Sequence, residues 1–152
     1  MTKLKEGDKA PVFKGIDQDG KSVSLSDFSG KKLILFFYPK DMTPGCTAEA
    51  CNLRDNYKEL RKLGFEIIGI SPDSISRHQK FIEKYELPFP LIADEEKKIL
   101  NDYGVWGQKS MYGKSYMGVF RTTFIIDEKG SISRMFSKVK TNDHAAQILA
   151  EL

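Results

Sequence analysis

Three apolar runs of strand length constrain the fold more than any other feature of the sequence. They are "KKLILFF", "FEIIGISP" (Phe65 to Pro72) and "RTTFIID" (Arg121 to Asp127). A run that is apolar at consecutive positions, rather than alternating with polar residues, is typical of a strand buried on both faces. The sequence therefore predicts a sheet whose two faces are both covered.

Helical patterns lie between and after these runs. Apolar residues recur at spacings of three and four at Ala50, Leu53, Tyr57 and Leu60. Further helices are predicted in "SISRHQKFIEKYEL", "EEKKILNDYG" and "DHAAQILAEL". This order favours parallel pairing of the first strands and antiparallel pairing at the end, in an α/β chain with a central mixed sheet flanked by helices. A thioredoxin-like arrangement fits, and so do other α/β folds.

Turn signals add two hairpins. "DQDG" separates the short strands "VFKGI" and "SVSL", which predicts an N-terminal β-hairpin. "DEKG" joins "RTTFIID" to "SISRMF" as a second hairpin. The segment Trp106–Phe120 is interpreted as a loop region, and we expect its Trp106, Met111, Tyr112 and Met117 to form a cover or a partner surface of unassigned role.

Length and charge exclude several classes of function. The 152 residues suit one domain, 1–152, and the net charge of +3 comes from basic and acidic residues mixed along the chain. This mixture predicts no nucleic-acid partner. The longest apolar run, Leu33 to Tyr38, is far too short to span a membrane, and the charged start predicts no signal peptide. Two cysteines are too few for a disulfide framework, so we expect a cytoplasmic protein.

Both cysteines lie in one stretch, "FFYPKDMTPGCTAEAC", where Thr43 and Pro44 have the pattern of a helix start. Cys46 then falls in the first helical turn, where free N–H groups and the helix dipole favour an anion such as a thiolate. At 100° per residue, Cys46 lies on the same face as Ala50 and Leu53. We therefore expect its sulfur to point into a pocket at the strand end.

Cys51 follows five residues later. On an intact helix the two Cα atoms would be about 8–9 Å apart, beyond the roughly 7 Å limit for a disulfide, so bridging requires local unwinding. A structural disulfide is not expected in a reducing compartment. His78 and His144 lack ligand spacing with the cysteines, so we expect no metal or other cofactor. A buried inert thiol is the common alternative and explains the position of Cys46 poorly.

The stretch "YPKDMTPGCTAEAC" resembles the active-site segment of peroxiredoxins, in the bacterioferritin comigratory protein or peroxiredoxin Q group. Pro39, Thr43 and Cys46 meet the family pattern, and Cys51 matches its two-cysteine version. "YGVWGQKSMYGKSYMGVFRTTFIID", with Arg121, also resembles the group's later segment. The resemblance covers nearly the whole chain and implies a thioredoxin-like fold.

The resemblance implies a thiol peroxidase for hydrogen peroxide and organic hydroperoxides. Cys46 would be the peroxidatic cysteine, which forms a sulfenic acid. Cys51 would be the resolving cysteine, which forms an intramolecular disulfide that thioredoxin or a similar thiol reductant reduces. The group is often monomeric, and we expect a monomer. The alternatives are a redox-switched binding protein or holdase that uses the same cysteines, and a disulfide reductase, which lacks the required C-x-x-C.

Ionisation of the thiol is the smaller part of such catalysis. A thiol with an ordinary pKa of about 8.5 is about 3% thiolate at pH 7, so full ionisation gains at most about thirtyfold. The larger gain must come from stabilising charge on the peroxide oxygens. We expect the Thr43 hydroxyl, the N–H groups of Gly45 and Cys46, and Arg121 to supply this, with Pro39 limiting water access. Each has a simpler explanation: a helix cap for Thr43, a strand end for Pro39 and a surface ion pair for Arg121.

Overall fold

The computed structural model describes residues 2–152. In it, a central sheet carries most of the core. Its strands are β3 (Lys32–Phe37), β4 (Phe65–Ser71), β5 (Leu91–Ala93), β8 (Thr122–Ile126) and β9 (Ile132–Phe136). Their order in the sheet is β5-β4-β3-β8-β9, with β3 parallel to β4, β4 parallel to β5, and the pairs β3–β8 and β8–β9 antiparallel.

The helices cover both faces of this sheet. They are α1 (Pro44–Asp55), α2 (Tyr57–Lys62), α3 (Ile75–Tyr85), α4 (Lys98–Asp102) and α5 (His144–Leu149), and a short 3₁₀ helix spans Leu25–Phe28. Side chains of β3 alternate between two buried clusters, with Leu33 and Leu35 in one and Ile34 and Phe36 in the other. The prediction of strands buried on both faces is therefore confirmed, as are the mixed sheet and the change from parallel to antiparallel pairing.

Both predicted hairpins are present. The N-terminal one pairs β1 (Lys14–Ile16) with β2 (Ser22–Ser24), and β8 pairs with β9 across the "DEKG" turn. The first predicted helix differs in one respect: it is interrupted at Asn56, which separates α1 from α2. The Asn56 side-chain amide donates to the carbonyl of Asn52 at 2.9 Å, and this local bond accompanies the break.

The interpretation of Trp106–Phe120 as a loop region is wrong. β6 (Trp106–Met111) and β7 (Lys114–Val119) form a two-stranded antiparallel hairpin outside the central sheet. Its two-residue turn, Tyr112 and Gly113, has φ values of 53° and 77°. Such a turn normally carries Asn-Gly or Asp-Gly, and the tyrosine hides the signal. The three-residue β5 was likewise not assigned from the sequence.

No helix within residues 2–152 has the length and apolar character needed to cross a bilayer.

Candidate active site

The pocket beside Cys46 lies where β3, β4 and β8 meet the start of α1. Its volume is about 520 Å³. Five of the residues predicted from the sequence to act together line it, and the hairpin β6–β7 forms its opposite side. The lining residues are Pro39, Lys40, Thr43, Gly45, Cys46, Pro72, Trp106, Lys109, Tyr116, Met117, Gly118, Val119 and Arg121.

Cys46 occupies the first turn of α1, as predicted. Thr43 is the N-cap residue with extended backbone (φ −79°, ψ 153°), and Pro44 opens the helix. The first intrahelical bond runs from the Thr47 N–H to the Thr43 carbonyl, at 2.9 Å. The N–H groups of Gly45 and Cys46 therefore belong to the first turn, where an α-helix has no internal acceptors for its N–H groups. This leaves positive potential at the pocket floor.

The Cys46 side chain is buried with the apolar stripe of its helix. Its relative exposure is 1%, and it packs in the same cluster as Ala50, Leu53 and Leu60. The helical periodicity therefore predicted its direction correctly. Burial in this position places the sulfur at the inner end of the pocket.

Arg121 reaches the sulfur from the start of β8. Its Nη2 donates to Cys46 Sγ at 3.3 Å, and its Nη1 donates to Glu49 Oε1 at 2.7 Å. Burial alone would lower the pKa of Arg121, but its electrostatic contacts and hydrogen bonds with Glu49 and Cys46 raise it above its ordinary value. The guanidinium is thus a permanent cation shared between a sulfur and a carboxylate.

Gly45 permits this approach. A Cβ at this position would lie 3.2 Å from Arg121 Nη2, closer than such contacts usually are. The absence of a side chain lets the guanidinium lie against the first turn of α1.

Thr43 and Pro39 have less simple positions than the sequence suggests. The Thr43 hydroxyl donates to the Lys40 carbonyl at 2.7 Å, and its oxygen accepts no N–H of α1, so its role as a side-chain helix cap is not realised. The hydroxyl oxygen keeps its acceptor capacity and lies on the pocket lining. Pro39 is half-buried after the end of β3 and lines the same pocket.

Cys51 lies outside the pocket lining. It is on α1 with Cys46, and both are free thiols, so the two cysteines lie on one continuous helix, which is the condition under which bridging requires local unwinding. The pKa of Cys51 is raised above its ordinary value, mainly by burial and further by the Asp55 charge. The Arg54 charge acts in the opposite direction but does not cancel these effects. The Cys51 thiol is therefore mainly protonated at neutral pH.

Glu49 is the residue near the sulfur that sequence reasoning missed. It is completely buried, and burial raises its pKa from 4.5 to about 7, against the opposing effect of Arg121. Its second oxygen, Oε2, has no hydrogen-bond partner among residues 2–152 and lies 3.7 Å from His144 Nε2. Residues three positions apart lie on the same face of a helix, so the spacing of Glu49 from Cys46 was the sequence signal that could have placed Glu49 near the sulfur.

His144 completes the buried charge pattern. Burial lowers its pKa from 6.5 to about 4, helped by the Arg121 charge and opposed by its bond to Gln147. Its Nδ1 lies 2.8 Å from Gln147 Oε1, and its Nε2 lies 2.8 Å from Thr123 Oγ1. Because Gln147 Oε1 can only accept, the neutral ring carries its proton on Nδ1 and accepts from Thr123.

Known proteins resemble the chain over almost its whole length. The AhpC/TSA family pattern matches residues 6–135. Peroxiredoxin Bcp of Escherichia coli K12 is 47% identical over 98% of this chain and 96% of its own length. Peroxiredoxin Bcp of Bacillus subtilis is 48% identical over 96% of this chain and 93% of its own. A solved structure of the bacterioferritin comigratory protein of Xanthomonas campestris has a TM-score of 0.85 and 34% identity, and covers 91% of this chain and 88% of that one.

Proposed function

Because the chain belongs to the AhpC/TSA family and is a peroxiredoxin, a thiol peroxidase that reduces hydroperoxides with electrons from a thiol reductant, we propose that Cys46 is the residue that attacks the peroxide. The observation that carries this assignment is the 3.3 Å contact between Cys46 Sγ and Arg121 Nη2 at the inner end of an open pocket.

The first step is a displacement at oxygen. The Cys46 thiolate attacks one peroxide oxygen, an S–O bond forms, the O–O bond breaks, and the other oxygen leaves as water or an alcohol after it takes up a proton. The sulfur is thereby oxidised to a sulfenic acid. Thr43, Arg121 and the N–H groups of Gly45 and Cys46 stabilise the charge that develops on the two oxygens, and Pro39 shields the sulfur from water.

The second step regenerates the thiol. Cys51 attacks the sulfenic sulfur, an S–S bond forms and water leaves, and a thioredoxin-type dithiol then donates two electrons to the disulfide. Cys46 and Cys51 are both in α1, so the first turns of that helix unwind before the bond can form. We further propose one domain over 1–152, a monomer and a reducing cytoplasm, which suits two free thiols.

Alkyl hydroperoxides are included among the proposed substrates. The structural study of the Xanthomonas campestris protein concerns its alkyl peroxide reduction activity. In the present chain the pocket has apolar surface from Trp106, Met117 and Val119 beside the sulfur. Such surface accommodates an alkyl group in place of the second hydrogen of hydrogen peroxide.

Two cysteine variants test the assignment. Cys46→Ser is expected to abolish peroxide consumption, measured by stopped-flow mixing of the reduced protein with peroxide. Cys51→Ser is expected to form one sulfenic acid per chain, detected by mass spectrometry. Because it cannot form the intramolecular disulfide, its thioredoxin-dependent turnover is expected to stop. Amide exchange at residues 47–53 is expected to lose protection when the unsubstituted protein is oxidised.

Three results would contradict this scheme at separate points. Activity in Cys46→Ser removes the assignment of the nucleophile. Full thioredoxin-linked turnover in Cys51→Ser removes its resolving role. Unchanged amide protection after disulfide formation removes the unwinding of α1.

A further inference from the structure

A buried polar cluster lies behind the turn that connects β3 to α1, and the reaction above does not use it. It comprises the buried residues Tyr38, Asp41, Ser71, Asp73 and His78, together with Arg77, which is exposed at its edge. We propose that His78, paired with Asp41, is a positioning residue that holds this turn, with Pro39 and Thr43, in the geometry needed for the hydroperoxide. The inference rests on the proposed role of the Cys46 pocket.

Asp41 is bonded at every polar group it has. Its Oδ1 accepts from the Tyr38 hydroxyl at 2.6 Å, and its Oδ2 lies 2.6 Å from His78 Nδ1. Its backbone N–H donates to Asp73 Oδ2 at 2.8 Å, and its carbonyl accepts from Arg77 Nη2 at 3.2 Å. Both the backbone and the side chain of Asp41 are therefore fixed, by groups from α3 and from the residues that directly follow β3 and β4.

The proton positions follow from the partners of His78. Its Nε2 lies 3.0 Å from the carbonyl of Ile92 in β5, and a carbonyl only accepts, so Nε2 carries a proton. A further proton lies between Nδ1 and Asp41 Oδ2. Burial, with the adjacent Asp41, raises the pKa of Tyr38 well above its ordinary value, so the tyrosine is a neutral donor. Asp73 and Arg77 are the other charged groups at the cluster, and they pair at 2.9 Å.

The cluster is continuous with the pocket through the chain itself. Lys40 precedes Asp41 and lines the pocket, and Thr43, two residues after Asp41, does so as well. Pro72 also lines it and lies between Ser71 and Asp73, whose side chains are bonded at 2.7 Å. One network thus restrains parts of the pocket wall that come from two different strand ends.

The turn needs such a restraint. Met42 has a backbone φ of 69°. This is the left-handed region, which residues other than Gly, Asn and Asp seldom adopt. A residue held there costs free energy and persists only where its surroundings determine it. Because Asp41 is adjacent, its four bonds are the restraint that keeps Met42 in this conformation and Thr43 facing the pocket.

A metal ion is the other possible occupant of such a cluster. Asp41, Asp73 and His78 each place one atom that could coordinate a metal, a carboxylate oxygen or a ring nitrogen, within 4.8 Å of the other two. Their nitrogen and oxygen atoms already have protein partners at hydrogen-bond distance, including a carbonyl on His78 Nε2. The geometry is that of a closed hydrogen-bond network, and it favours positioning over metal binding.

Two variants of His78 separate positioning from simple stability. The amide nitrogen of Asn falls near the place of Nδ1 and retains a donor for Asp41, whereas that of Gln falls near Nε2 and retains only the bond to Ile92. We expect His78→Gln to lower the second-order rate constant for hydrogen peroxide by about 10- to 100-fold, because the turn shifts. His78→Asn is expected to stay within about threefold of the unsubstituted protein.

The thiolate of Cys46, followed by absorbance at 240 nm, is expected to stay unchanged in both variants because Arg121 approaches from β8. Tyr103→Phe is the control. It removes a partly buried hydrogen bond remote from the pocket, from the Tyr103 hydroxyl to the Pro11 carbonyl at 2.7 Å, and is expected to lower Tm but not the rate.

An unchanged rate in His78→Gln, or equal losses in the Asn and Gln variants, would overturn the proposal. The proposal would also be overturned if Tyr103→Phe lost rate in proportion to its decrease in Tm, because the rate would then follow stability alone. Inactivity of Cys46→Ser together with full activity of His78→Gln would leave the proposed function standing and remove only the positioning role. Activity of Cys46→Ser would remove both.

Discussion

The two sides of the Cys46 pocket are built in different ways. The side from β3, α1 and β8 is buried and connected by polar contacts: Cys46 is 1% exposed and bonded to Arg121, which is bonded to Glu49. The side from the hairpin β6–β7 is open, with Met117 55% exposed and Tyr116 42% exposed. We call these the core wall and the hairpin wall.

The contrast indicates a division of labour. Groups that stabilise charge in a transition state must be in place before the reaction, and buried contacts keep them so. Exposed methionine and tyrosine side chains can adapt to different partners at little cost. We therefore propose that the core wall carries the chemistry and that the hairpin wall contacts what enters the pocket. Substitutions in the two walls are expected to differ in effect accordingly.

Apart from the loss of Cys46 itself, the largest effect is expected at Arg121. Arg121→Lys keeps the positive charge but loses the planar fork that contacts Cys46 and Glu49 together. We expect the second-order rate constant with hydrogen peroxide to fall by about 100-fold, the usual cost of removing one donor to a developing oxyanion. Stopped-flow kinetics at pH 7 measure it. A lysine variant within threefold of the unsubstituted chain would show that charge alone suffices.

Glu49 and His144 give the core wall opposing pH dependences. Folded Glu49 has a pKa of about 7 instead of 4.5, so it keeps a proton that the unfolded chain has released, and the free energy of unfolding falls as pH rises from 4.5 to 7. Folded His144 has a pKa of about 4 instead of 6.5, so the free energy of unfolding rises from pH 4 to 6.5. Each slope is about 1.4 kcal/mol per pH unit, and between about pH 4.5 and 6.5 they cancel.

Glu49→Gln removes one of the two slopes. Relative to the unsubstituted protein, its free energy of unfolding is expected to rise by about 1.4 kcal/mol per pH unit between pH 4.5 and 6.5, about tenfold in the folding equilibrium. Urea unfolding at three pH values measures this difference. His144→Gln is the matched variant, for which the difference has the opposite sign. Parallel pH profiles for all three proteins would contradict the assigned shifts.

The smallest effect is expected in the hairpin wall. Met117→Ala removes an exposed side chain that lines the pocket without touching the buried polar contacts. We expect the rate constant for hydrogen peroxide to change by less than about twofold. A loss above tenfold would end the distinction between the two walls.

The sequence predicted the core wall much better than the hairpin wall. Continuous apolar runs and a helix start are local signals, and they correctly indicated the buried strands and the direction of Cys46. The hairpin β6–β7 has mainly exposed residues and an unusual Tyr–Gly turn, so neither periodicity nor turn chemistry revealed it.

Contacts between distant residues could not be predicted from local patterns. Cys46 and Arg121 are 75 residues apart, and Asp41 and His78 are 37 residues apart. Arg121 was identified only through the family resemblance. Glu49 and His78 were not assigned to the pocket or its support, because their partners are supplied by the folded chain. Local patterns indicate strands and helix faces, whereas buried polar pairs depend on the tertiary arrangement.

The interruption at Asn56 limits how far a disturbance of α1 can travel. The backbone turns out of helical geometry there, and α2 is held separately by the buried Leu60. Unwinding the segment around the two cysteines would therefore leave α2 folded. When the thiols are restored, the segment would refold next to a helix that is already formed, and the unfavourable nucleation of an isolated helix would not recur in every turnover.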